Sequence, residues 1–142
     1  MNFSIEISPS TDLNTLPAIK DVYITLLPGG DFKDTADQAE KLVKKGLNPI
    51  PHIPARSIEN EAQLKEYVSR CRDGGTKQVL VIGGSRDPIG DFDSSIQLLE
   101  TGYFEDMKIG IAGHPEGSPD ISDSKLEKAM NDKKPYADYI VT

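Results

Sequence analysis

One cysteine, two histidines and no apolar run of membrane length set the first limits on what this chain does. With Cys71 alone an intramolecular disulfide is impossible, and such sparing use fits a reducing cytoplasm, which is the expected location. No apolar stretch approaches the roughly 20 residues that span a bilayer. The opening residues MNFSIEIS lack the basic-then-apolar order of a secretory signal, so none is expected. Basic residues are scarce too. Lys and Arg number 16 against 23 Asp and Glu, for a net charge of -7. That balance argues against nucleic acid and anionic membrane as partners, because both reward clustered Lys and Arg. His52 and His114 stand on different segments with no carboxylate cluster beside them, a poor zinc set, so no metal is expected. No GxSxG elbow, GxGxxG fingerprint or P-loop occurs.

What is present suits one soluble α/β domain over residues 1–142, with 37% hydrophobic and 27% charged residues and enough length to bury a core. Phe3, Ile5 and Ile7 alternate with Ser4, Glu6 and Ser8, the period of a strand. Val22 to Leu27 reads as a second strand stopping at Pro28-Gly29-Gly30. Ala36, Ala39, Leu42 and Val43 mark one helix face, with Asp34 or Thr35 as its cap and Gly46 at its end. Asn48 to Ile53 is a third strand despite Pro49, Pro51 and Pro54, which argue against it. Leu64, Tyr67, Val68 and Cys71 have helical spacing, and on that face Cys71 reads as inert core.

Gln78 to Ile82 is the strongest strand, a nearly continuous apolar run. Asp91 or Asp93 is then placed to cap a helix carrying Ile96, Leu98 and Leu99. Met107 to Ala112 follows as a strand, Leu126, Ala129 and Met130 as a helix, and Ala137 to Val141 as the last strand. Alternation of this kind implies a parallel sheet with right-handed crossovers. Two architectures satisfy it: an incomplete (β/α)8 TIM-type barrel, and an open doubly wound sheet.

In both, ligands gather at the carboxyl ends of the strands. That rim collects Glu6, Ser8, Thr25, His52, Gly83 to Asp87 and Gly113 to Ser118. If Ile5 and Ile7 face the helices, Glu6 faces the barrel interior, where a desolvated carboxyl group is held protonated and can act as a general acid. The alternation is equally met by an edge strand that leaves Glu6 in water. Gly83 and Gly84 in VIGGSRDPIGD permit close approach of a ligand to the backbone. A type I turn leading into a capped helix explains the same residues without any ligand.

Six segments carry a family resemblance, in order along the chain: SIEISP, VYITLLPGG, NPIPHIPAR, VLVIGGSRDP, IGIAGHPEGSP and ADYIVT. Together the chain resembles methylenetetrahydrofolate reductase, the flavoprotein of folate one-carbon metabolism, linked to methionine biosynthesis. The resemblance implies FAD at the carboxyl ends of a (β/α)8 barrel, NAD(P)H as electron donor, and reduction of 5,10-methylenetetrahydrofolate to 5-methyltetrahydrofolate. By the same resemblance Glu6 is the general acid that protonates the folate, and Asp87 tunes the flavin and helps folate bind. Thr25, His52, Gly84, Arg86, Ala112, His114, Glu116 and Ser118 are the implied cofactor contacts.

The chain also departs from the family. Tyrosine is common where His114 stands, and histidine where Ser118 stands. The predicted helix Asp123 to Lys134 lacks the family's aspartate and arginine pattern, with Lys125, Lys128 and Lys133 as substitutes. Past the position of Thr142 the family continues with a folate-contacting glutamine and two more βα units. Unclosed strands leave exposed edges, so a homo-oligomer or pairing with a missing barrel half is expected. Two other functions fit the same pattern: a flavin-independent folate-binding methyl-transfer enzyme, and a non-catalytic α/β module that binds a partner.

Overall fold

Strand and helix periods resolve, in a computed structural model that describes residues 4–84, 87–112 and 136–141, into one all-parallel sheet with helices on its outer face. The strands are β1 (Ser4–Ile7), β2 (Asp21–Ile24), β3 (Asn48–Pro54), β4 (Gln78–Ile82), β5 (Lys108–Ala112) and β6 (Tyr139–Val141). The described helices are α1 (Phe32–Lys44), α2 (Glu61–Asp73) and the short α3 (Ser95–Leu99). The order is sequential, β1-β2-β3-β4-β5-β6, and the sheet curls into a half-barrel. The predicted helix Asp123 to Lys134 lies outside the described residues, as does Phe3.

Register divides the side chains cleanly between the two faces. Ile7 aligns with Ile24, and Ile53 aligns with Val81, Ile111 and Ile140 on the outer face. Ile53, Val79, Val81, Ile109 and Ile111 pack with Leu64, Tyr67, Val68 and Cys71 of α2 and with Leu98 and Leu99 of α3. A second cluster joins Ile7, Val22 and Ile24 to Ala39 and Leu42 of α1. On the inner face Glu6, Tyr23 and Ile50 align across β1 to β3, and His52, Leu80, Gly110 and Tyr139 across β3 to β6.

The prolines of β3 are accommodated by where its ladders run. Consecutive residues of a parallel strand turn their N–H groups to opposite neighbours. Asn48 N donates to Lys20 O on the β2 side, 2.8 Å away, so positions 49 and 51 face β4. The β3–β4 ladder begins only at His52, so Pro49 and Pro51 delete donors that have no ladder to join. Pro54 faces β2, whose ladder with β3 already ended at Pro51. The strand therefore runs to Pro54, one residue past the expected end.

Three expected boundaries are corrected. β2 ends at Ile24, and Leu27 is 60% exposed, because the chain turns away toward Gly29 and Gly30. The cap of α1 is Asp31, whose carboxylate accepts from Lys33 N at 2.9 Å. Thr35 is instead buried, donating to Thr25 O at 3.0 Å. Before α3 the cap is Ser94 rather than Asp91 or Asp93, with Gln97 Oε1 accepting from Ser94 N at 3.2 Å and Asp93 N at 2.6 Å.

Candidate functional site

At the carboxyl ends of β1 and β3, two inner-face side chains meet. His52 Nε2 lies 3.4 Å from Glu6 Oε1. The His52 side chain is 12% exposed and that of Glu6 61%. The inward orientation expected of Glu6 is thus present, but the burial expected with it is not: the carboxylate reaches over the rim into water. Burial pushes the His52 imidazole below its ordinary value of 6.5, and the Glu6 carboxylate opposes that shift. At neutral pH the contact is a neutral imidazole beside a carboxylate, an arrangement that can pass or hold a proton near a ligand.

Helices on the outer face fix the backbone of this rim. Tyr67, fully buried in α2, donates its hydroxyl to His52 O at 2.8 Å. Thr35 of α1 does the same for Thr25 O. Thr25 N is held by Ile7 O at 2.9 Å. That leaves the Thr25 hydroxyl, a buried oxygen with no hydrogen-bond partner among the described residues. Such a group costs free energy unless something supplies its partner.

The loop after β1 is closed by Ser8, whose backbone N–H donates to Thr11 Oγ1 at 3.0 Å, and is tied to α1 by Gln38 Nε2 donating to Thr11 O at 2.9 Å. The loops after β3 and β4 are joined to each other. Arg56 N donates to Gly83 O at 2.9 Å, Ile89 N to Arg56 O at 3.2 Å and Asp91 N to Glu59 O at 2.9 Å. Gly84 has φ +99°, a left-handed conformation that favours glycine. Gly90 packs so tightly on Glu59 that a Cβ would collide with its carbonyl oxygen.

Asp87 is exposed in this loop, and among the described residues no hydrogen bond or ion pair links it to Glu6 or His52. Ala112 ends β5 beside Val141 and is partly exposed. Arg86, His114, Glu116 and Ser118 lie outside the described residues.

Deeper on the inner face is a polar layer that the sequence reading did not single out. Asn48 Nδ2 donates to Asp21 Oδ1 at 3.1 Å and to Gln78 Oε1 at 2.9 Å. Gln78 Nε2 donates in turn to the Tyr139 hydroxyl at 2.8 Å. The signal was available: Asp21, Tyr23 and Thr25 alternate with apolar residues, so all three belong on the same face as Glu6.

A large cavity lies at the other end of the sheet. About 1120 Å³ opens at the amino ends of the strands, lined among others by Lys20, Asn48, Pro49, Lys77, Gln78 and Lys108. It lies beside the first residues of β3, which have no ladder to β4. The rim carries the imidazole–carboxylate pair, while a buried hydroxyl without a partner among the described residues occurs at each end, Thr25 at the rim and Thr76 just before β4.

Among the described residues no group of three or more His, Cys, Asp or Glu side chains converges as a metal site would need. Cys71 is buried, and burial pushes its thiol up to about 12, which removes it from thiolate chemistry. Among the described residues no helix is long and apolar enough to cross a membrane. No protein-family model matches the chain.

Proposed function

We propose that the chain is a flavin-dependent reductase acting on a folate, similar to methylenetetrahydrofolate reductase, with NAD(P)H as electron donor and a TIM-type barrel as its architecture. One observation carries this reading. Glu6, His52 and the unpartnered Thr25 hydroxyl occupy one rim of a sequential parallel sheet, the three positions where the resemblance asks for an acid and two flavin contacts. The sequential strand order, without the reversal that creates the crevice of a doubly wound sheet, supports the barrel.

Thr25 and His52 fit the polar edge of a flavin ring. The orphaned Thr25 oxygen wants a donor or acceptor, and neutral His52 presents one of each. When bound, FAD supplies the hydride relay between NAD(P)H and folate. The chain's own residues do the rest. Once bound folate covers it, Glu6, a water-exposed carboxylate in the free protein, takes a proton from solvent and delivers it to the folate nitrogen, so that the imidazolidine ring opens to an electrophilic iminium. His52 stays neutral and holds Glu6 in reach. Gly84 takes the left-handed turn after β4, and Asp87, further along the same loop, is the residue that by the resemblance tunes the flavin. In this reading the protein works in the cytoplasm, and the open edges at β1 and β6 are covered by a second copy or by further barrel strands.

The test is reconstitution. Protein loaded with FAD is reduced anaerobically with NADH and the flavin band is followed, then folate is added. Glu6→Gln is expected to leave flavin bleaching by NADH within about threefold of the parent and to remove at least 10²-fold from folate reduction, the usual weight of a general acid. Equal loss of both half-reactions overturns the role of Glu6. Failure to bind FAD at all overturns the function.

A further inference from the structure

We propose that Tyr23 and Tyr139 form a phenolic floor beneath the rim, with Tyr23 as the positioning residue that holds His52 against Glu6. The observations span all six strands. Tyr23 aligns with Ile50, one inner-face step below His52, and meets the His52 ring edge-on with centroids 6.1 Å apart and planes at 63°. Tyr139 comes from β6 and lies flat across β5. A Cβ on Gly110 would collide with its ring, so this glycine provides the room.

The floor has one hydrogen-bond polarity, set by a charge at its far end. The Asp21 carboxylate only accepts, which turns the Asn48 amide nitrogen toward it. That nitrogen also donates to Gln78 Oε1, so Gln78 must present its own nitrogen to Tyr139. Burial above all, with the Tyr23 phenol nearby, keeps the Tyr139 phenol far above its ordinary value, against the opposing effect of the Gln78 bond. Lys108 Nζ, 5.3 Å from the Tyr139 ring centroid, covers the ring from β5. Tyr23 stands beside this hydrogen-bonded chain, and its ring supports the imidazole edge-on. His52 is then gripped from three directions: Tyr67 on its carbonyl, Tyr23 on its ring and Glu6 at Nε2.

This deepens the proposed function and rests on it only for treating the Glu6–His52 pair as ligand-binding. The experiment needs no ligand. The full chain is titrated by NMR, following the His52 ring signal, which His52→Gln identifies by removing it and leaving that of His114. Because Glu6 raises the His52 midpoint, Glu6→Gln is expected to lower it. The size of that displacement measures how firmly the two groups are held together.

In a Tyr23→Leu background, which removes the ring that meets the imidazole, the displacement is expected to fall to less than half. In Tyr23→Phe, which keeps that ring, it is expected to persist. An undiminished displacement in Tyr23→Leu overturns the proposal, as does a parent protein in which Glu6→Gln displaces nothing. If Tyr23→Leu does not fold, the parent decides alone: nuclear Overhauser contacts between the Tyr23 and His52 rings are expected, and their absence overturns the proposal. Loss of the displacement in a protein that binds no flavin leaves the floor standing and overturns only the function proposed above.

Discussion

Removing one oxygen from Tyr67 tests whether the helices hold the rim's backbone. Tyr67 is 0% exposed, and its hydroxyl donates to His52 O at 2.8 Å. That carbonyl turns toward β2, past the last β2–β3 pair at Ile24 and Pro51, so no strand is there to satisfy it. Tyr67→Phe keeps the ring and its packing on Phe32, with centroids 5.2 Å apart, so a cavity term is nearly absent. What remains is a buried acceptor without a donor, a loss of about 1–2 kcal/mol. With an m-value of about 2 kcal/mol/M, the urea midpoint is expected to fall by roughly 0.5–1 M at unchanged slope. Tyr67→Ala, which also empties the ring's volume, is expected to cost about 3–5 kcal/mol. A midpoint for Tyr67→Phe within about 0.2 M of the parent, where the expected loss is several times that, would mean that the His52 carbonyl has another donor and that α2 does not fix the rim.

Two further outcomes follow from the inner face. Gly110→Ala is expected to cost about 1–3 kcal/mol by overpacking against the Tyr139 ring; the same substitution in a Tyr139→Ala background is expected to be nearly neutral, and equal costs in both would show the ring is not what Gly110 makes room for. The buried His52 gives a pH signature. Its folded-state value is depressed below the ordinary 6.5, so the unfolded chain takes up the proton first. Its contribution is present above about pH 6.5 and is lost as pH falls through the folded-state value. The stability difference between the parent and His52→Gln, measured by urea melts from pH 8 downward, is expected to shrink across that window. A difference that stays constant or grows on acidification refutes the burial argument.

How much of this was legible beforehand depends on distance along the chain. Period-two alternation placed Glu6 on the inner face, and the apolar stripe of Leu64, Tyr67, Val68 and Cys71 placed α2 against the sheet, because both are local patterns set by backbone geometry. Caps were misread where several candidates crowded together. Asp31 and Asp34 both precede or open α1, and only the turn at Gly29 and Gly30 decides between them. Prolines in β3 counted against a strand because the sequence does not reveal which neighbour each missing N–H would have faced. Once the ladders are known, the same three residues fit it.

The site was half legible for a related reason. Sequence order assigned Glu6, Thr25 and His52 to one end of the sheet, since every parallel strand delivers its carboxyl end there. It did not reveal that Glu6 leans into water, since exposure depends on how far the sheet curls over it. Nor did it reveal the floor. Gln78 and Tyr139 are 61 residues apart, and their hydrogen bond exists only because curling brings β6 across the inner face above a residue without a Cβ. A glycine inside a strand normally weakens it. Here Gly110 is the space that an aromatic ring from the neighbouring strand fills, so the one position that looks like a flaw in β5 is what lets a polar layer form beneath the rim.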